Sequence, residues 1–174
     1  GEDTATRVTL VDGHAHDHPH DHPHPHPHDH ETRTVLLEQD ILAKNDVLAA
    51  ATRHRLTEHG VTAINLMSSP GSGKTTLLER TIRDLAGRRE TLVVEGDQET
   101  WLDAQRIRAT GSKVVQINTG AGCHLDAEML DRGLTELAPP DGSLVFVENV
   151  GNLVCPALFD LGESARVVIV SVTE

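Results

Sequence analysis

The stretch that most limits what this chain can fold into is NLMSSPGSGKTTLLE, residues 65–79. An apolar run at 61–67 (VTAINLM) leads into it and reads as a strand, and the pattern from Lys74 onward predicts a helix over 74–86. Between them lies a loop in which Gly71 and Gly73 lack Cβ atoms, so the backbone can curl and aim N–H groups inward. The helix that follows adds about half a positive charge at its N-terminus. A strand that feeds a helix through such a loop belongs in a parallel sheet, and the rest of the chain agrees. Apolar runs at 91–96 (TLVVEG), 113–117 (KVVQI), 143–148 (SLVFVE) and 166–172 (RVVIVSV) predict strands, with helices near 99–110 and 125–137 between them. The runs are β-branched and do not alternate, which suits strands covered on both faces. A further helix is expected from 35 up to its stop at Gly60. The expected fold is α/β: a doubly wound, mostly parallel sheet with helices on both faces.

The loop carries chemistry as well as topology. SSPGSGKTT at 68–76 follows the Walker A pattern of a P-loop NTPase except that Ser68 stands at the first glycine position. In this reading Gly71, Ser72, Gly73, Lys74, Thr75 and Thr76 bind nucleotide. Lys74 supplies charge to the β- and γ-phosphates, and Thr75 supplies a hydroxyl for Mg2+. Such a site needs carboxylates at neighbouring strand ends. Asp97, just past one strand, and Glu148, at the end of another, are the candidates for Mg2+ and, with Lys74, for catalysis. Glu148 opens ENVG, similar to the D-x-x-G element of GTPases with Glu in place of Asp, and Gly151 would offer its N–H to the γ-phosphate. The plain structural alternative for each acid is a solvated strand end, or a helix cap for Asp97.

The chain has two cysteines. Cys123, with His124 beside it, follows the strand at 113–117, and Cys155 follows the strand at 143–148. In a parallel sheet the loops after strands share one edge, so both are expected on the edge that holds the phosphate loop. Two thiolates and an imidazole suit Ni2+ or Zn2+ and leave a closed tetrahedral site one ligand short. An open position, or a ligand from a second subunit, would permit transfer. The residues alone leave a second reading open, in which the two cysteines are small buried hydrophobes.

Ahead of the folded part stands HAHDHPHDHPHPHPHDH, residues 14–30, with His14, His16, His18, His20, His22, His24, His26, His28 and His30 at every even position. Residues 1–34 have too little apolar surface to offset chain entropy, so a disordered His-rich tail is expected there, with the P-loop domain over 35–174. Neutral imidazoles on a flexible tract bind several metal ions by shifting sets of ligands, which suits capture and storage. The net charge of −12 argues against nucleic-acid or membrane partners. The chain begins with Gly and stops just after an apolar run, and it is read as a fragment or processed chain with natural residues missing at both ends, its P-loop domain truncated C-terminally.

NLMSSPGSGKTTLLE, TGAGCHLDAEML (119–130) and FVENVGNLVCPALFDLGE (146–163) together resemble the hydrogenase nickel-incorporation GTPase (HypB) family over about 35–174. ENVGNLVCP separates the chain from the urease-maturation relatives, which share the phosphate loop. The resemblance implies a cytoplasmic GTPase that forms a GTP-dependent homodimer, with Cys123, His124 and Cys155 holding metal near the subunit interface. It implies GTP, Mg2+ and Ni2+ as cofactors, with Zn2+ also accepted. Maturation proteins and the hydrogenase large subunit are the implied partners, and nickel delivery to a [NiFe]-hydrogenase precursor is the implied task. The family's guanine-selecting N-K-x-D element and its N-terminal cysteine-rich motif are not among these residues. A different class of function stays open: a nickel or zinc store whose P-loop domain is a slow or inactive scaffold.

Overall fold

The computed structural model describes residues 29–97, 102–120 and 122–172. Five strands, β1 (Thr62–Ser68), β2 (Thr91–Asp97), β3 (Lys113–Asn118), β4 (Leu144–Glu148) and β5 (Ala165–Ile169), form one sheet in the order β3-β2-β4-β1-β5. Every pairing is parallel. The helices are α1 (Asp29–Glu58), α2 (Lys74–Leu85), α3 (Leu102–Arg108), α4 (Ala127–Leu137) and the short α5 (Cys155–Leu158).

Both faces of the sheet are covered, as a doubly wound fold requires. On one face Leu56 of α1 and Leu130, Leu134 and Leu137 of α4 pack on Ala63, Leu92, Val94, Val145 and Val147. On the other, Leu78 and Ile82 of α2 and Ala104 and Ile107 of α3 pack on Leu66, Val93, Val114, Leu144 and Phe146. β4 lies between β2 and β1 and is buried throughout, which explains its unbroken LVFVE.

Several expectations shift. α1 starts at Asp29 and not at 35, so His30 and the residues after it are helical. The rest of the histidine tract, His14 to His28, lies outside the described residues. α3 is shorter than expected, its start near 99 also falling outside them. β5 ends at Ile169, short of 172, and is exposed along most of its length as the edge neighbour of β1. α5 was not foreseen, because four residues are too few to show a period.

The C-terminal half of α1 anchors the helix. Asn45, Ala49, Thr52 and Leu56, at helical spacing, are all buried. Asn45 ties that stripe to the rest of the fold: its Nδ2 donates to the Asp160 carbonyl at 2.7 Å, and its Oδ1 accepts the Ala127 N–H at 2.9 Å. Asp126 caps α4 at the same point, accepting the Met129 N–H at 2.7 Å. The start of α4, immediately after Cys123-His124, is thus fixed from two sides.

Candidate functional site

At the C-terminal end of β1 the chain turns through Ser69–Ser72 into α2 and forms a cleft of about 420 Å³. Gly73, the residue before α2, has φ 88°, a left-handed value that costs glycine nothing and any other residue strain. The N–H groups of Lys74, Thr75 and Thr76, at the start of α2, have no partner within the helix and are available to an anion. Ser68 is buried at the end of β1, so the missing first glycine leaves the strand-to-loop turn intact.

Lys74 Nζ donates to the Asn149 carbonyl at 2.6 Å and lies 3.3 Å from Glu148 Oε1. Thr75 Oγ1 donates to the same Glu148 oxygen at 2.5 Å. Glu148 Oε2 and Ser72 Oγ are buried with no hydrogen-bond partner. A carboxylate oxygen 2 % exposed and aimed into a cleft beside a threonine hydroxyl fits a divalent cation. Gly151 stands against the loop: a Cβ there would sit 3.2 Å from Pro70 Cα. The structure therefore gathers Gly71, Ser72, Gly73, Lys74, Thr75, Thr76, Glu148 and Gly151 around one cleft. Asp97 ends β2 in register with Asn118; its side chain lies outside those described.

Three charged residues on the cleft wall were missed by sequence reasoning. Glu95 is buried and pairs in register with Glu148 across β2 and β4. Asp103 and Arg106 reach the cleft from α3. Arg106 Nη2 bonds Glu79 at 2.7 Å and Thr76 Oγ1 at 3.1 Å, so the guanidinium ties α3 to the helix that ends the phosphate loop. Among the described lining residues Glu95, Asp103 and Glu148 face Lys74 and Arg106, an excess of negative charge. A cation bound beside Glu148 would offset that excess for a polyphosphate entering the cleft.

On the same sheet edge Cys123, His124 and Cys155 converge, their ligand atoms all within 4.8 Å of one another. Both cysteines are half-buried. Cys123 Sγ is 3.6 Å from His124 Nδ1, and the His124 ring stacks on Phe159 with centroids 4.0 Å apart. Burial pushes the His124 pKa down, only partly opposed by Asp126, which keeps the imidazole neutral and able to ligate. The neighbouring Cys155 thiol is the main cause that pushes the Cys123 thiol up, with burial adding to it, so binding a metal as thiolate releases a proton. The residues alone left an even choice, ligands or packing thiols; the structure brings the three donor atoms close enough together that they could hold one ion.

The cleft and the cluster are joined by Asn149, which is fully buried. Its carbonyl accepts Lys74, and its Oδ1 accepts the N–H groups of Leu125 at 3.2 Å and Val150 at 3.0 Å. Its Nδ2 continues to Asn65, and Asn65 to Glu163.

Fold and cleft together define a P-loop nucleotide-binding domain. The family model described as CobW/HypB/UreG, nucleotide-binding domain, matches residues 62–171. The hydrogenase maturation factor HypB of Rhizobium leguminosarum bv. viciae is 53 % identical over 163 residues, covering 94 % of this chain and 54 % of its own. The crystal structure of hydrogenase maturation factor HypB from Archaeoglobus fulgidus superposes with a TM-score of 0.69 at 46 % identity, covering 76 % of this chain and 64 % of that one. That of HypB from Helicobacter pylori in complex with nickel gives 0.64 at 43 %, covering 72 % and 59 %. The chain belongs to the CobW/HypB/UreG nucleotide-binding family, and within it to HypB. It spans about half the length of the curated relatives it matches.

Proposed function

We propose that this chain is the nucleotide-binding part of a cytoplasmic GTPase that carries nickel to a [NiFe]-hydrogenase precursor and uses GTP hydrolysis to time its release. One observation carries the reading: a phosphate cleft and a Cys123/His124/Cys155 donor set open on the same edge of one sheet. The relatives named as hydrogenase maturation factors, and the nickel complex of one of them, support it. No helix among the described residues is long and apolar enough to cross a membrane.

In this reading the N–H groups of the loop and of Lys74–Thr76 cradle the phosphates. Lys74 moves its ammonium from the Asn149 carbonyl to the β/γ-bridging region, where negative charge grows as the terminal phosphoryl leaves. Thr75, Glu148 and Asp97 would hold Mg2+, which neutralises the phosphates that the acidic cleft would otherwise repel. Gly151 offers its N–H to the γ-phosphate. Water bonds to the γ-phosphorus, the β–γ bridge breaks, and the proton leaves to solvent. Nickel is cargo: Cys123, His124 and Cys155 take it, with the tail histidines His14 to His30 as the reservoir. A GTP-dependent homodimer would bring two such sites together and supply the missing ligand, with Zn2+ as a competing ion. Maturation proteins and the hydrogenase large subunit would receive the cargo.

The test is single-turnover GTP hydrolysis by the full chain and by Lys74→Ala. The variant should lose roughly a hundredfold or more in rate. Hydrolysis indifferent to that change would leave the second reading, a histidine-rich nickel or zinc store on an inactive P-loop scaffold.

A further inference from the structure

We infer that Asn149 is the positioning residue that couples nucleotide in the cleft to metal at Cys123, His124 and Cys155. The inference rests on the proposed GTPase and metal-carrier reading and names the residue through which its two sites communicate.

The metal donors are held by two loops, the second of which leads into α5 and its first residue, Cys155. Cys123 and His124 sit just before α4, and Cys155 sits beyond β4, on the segment that starts at Asn149. Asn149 holds both. Its main chain begins the second loop, anchored by its N–H to the Leu66 carbonyl at 3.0 Å. Its side chain holds the first, since Oδ1 accepts the Leu125 N–H at 3.2 Å, two residues after Cys123. The same Oδ1 takes the Val150 N–H at 3.0 Å, so the two loops share one acceptor atom. The residue is buried, so water cannot replace these bonds if it moves.

The nucleotide side acts on the same residue. Lys74 Nζ sits 2.6 Å from the Asn149 carbonyl. A phosphate in the cleft competes for that ammonium, and an ionised acceptor wins over a neutral carbonyl. The carbonyl then loses its donor, and the Asn149–Val150 peptide is free to re-aim, carrying Gly151 toward the phosphate. Any rotation there pulls on Oδ1 and on Cys155. Metal–sulfur bonds of about 2.3 Å tolerate shifts of only a few tenths of an ångström, so affinity follows the loop positions. The coupling must be reciprocal: metal at the donor set changes nucleotide affinity by the same factor.

The measurement is a four-way binding cycle on the full chain. Ni2+ affinity is read from the thiolate-to-nickel charge-transfer absorption, which the histidine tract does not produce. It is measured without nucleotide, with GDP and with a non-hydrolysable GTP analogue. The parent should show a nucleotide-dependent change in Ni2+ affinity of about five-fold or more. Asn149→Ala should bring the ratio to near one, whatever uniform loss it causes in either affinity. Asn149→Asp, which keeps both acceptor bonds, should restore the ratio. Should Asn149→Ala not fold, Asn149→Ser takes its place with the same expectation, because its shorter side chain falls short of Leu125. An Asn149→Ala ratio equal to the parent's overturns the inference and leaves the functional reading standing. A parent that binds both ligands with a ratio of one overturns the coupling itself, and a parent that binds no nucleotide overturns the functional reading.

Discussion

Cys155 is the residue at which the metal site proposed for the folded domain can be separated most cleanly from the one proposed for the tail. It supplies one of three soft donors within 4.8 Å of one another, and the remaining Cys123 and His124 are neighbours in sequence on one loop. Cys155→Ala should cut stoichiometric Ni2+ binding by the domain tenfold or more, on the order of the loss that removing a metal contact brings. The capacity of the histidine tract should not change. Equal Ni2+ uptake by parent and Cys155→Ala after deletion of residues 14–30 would refute a thiolate site. The cysteines, His124 and the phosphate-loop residues were legible because each sits in a short motif beside a strand end. Glu95 left a fainter signal, a lone acid inside the apolar TLVVEG, where a fully covered strand has no room for a charge without a task. Asn149 was hidden between two residues that already had roles, and Arg106 reaches the cleft only because α3 folds back beside α2.

At the scale of elements, all five strands and the helices α1 to α4 were readable from runs and periods, most ends to within a residue or two, but the start of α1 and the end of β5 were not. Termini depend on tertiary bonds, and α1 shows how. Nothing in the local sequence announces that Asn45 and Arg53 clasp the segment before β5. Arg53 Nη2 bonds Asp160 at 2.7 Å, and the Gly162 N–H donates to the same carboxylate at 2.9 Å. Burial works to raise the Asp160 pKa, but the bonds from Arg53, the Gly162 N–H and Glu163 outweigh it and hold the carboxyl below its usual value. A group whose folded pKa is depressed stabilises the fold above its unfolded value, about 3.9, and loses that contribution as pH falls through the folded value. Both partners are about one-third exposed or more, so solvent screens the pair. Asp160→Asn, which keeps an acceptor for Gly162, should cost about 0.5–1 kcal/mol at pH 7. The gap from the parent should shrink below pH 4. Urea midpoints at pH 7 and pH 3 measure it, and a gap of equal size at both would show that the ion pair contributes nothing.

For the molecule as a whole, the sheet's two edges differ in a way that decides how this chain meets another copy. β3 forms one edge under α3 and α4. β5 forms the other, with little over it among the described residues: Val167 and Val168 are exposed, Val168 by 53 %, and so is Val170 just past the strand, by 68 %. An apolar edge strand with unpaired backbone groups is a template for another strand. In this 174-residue chain β5 should therefore drive association that rises with protein concentration and ignores nucleotide. The homodimer proposed for the function would behave in the opposite way, since it would use the phosphate-loop edge of the molecule and need GTP. Val168→Lys separates the two. Val168 lies in register with Met67 on the edge strand, where a lysine stays solvated in the monomer and loses hydration in a paired strand. The variant should shift sedimentation toward monomer without nucleotide and leave the thermal midpoint within about 2 °C, as an exposed substitution does. Its GTP-dependent component should persist. Unchanged sedimentation in Val168→Lys would mean that β5 does not pair, and loss of the GTP-dependent component would place the functional dimer on β5 and away from the metal donors.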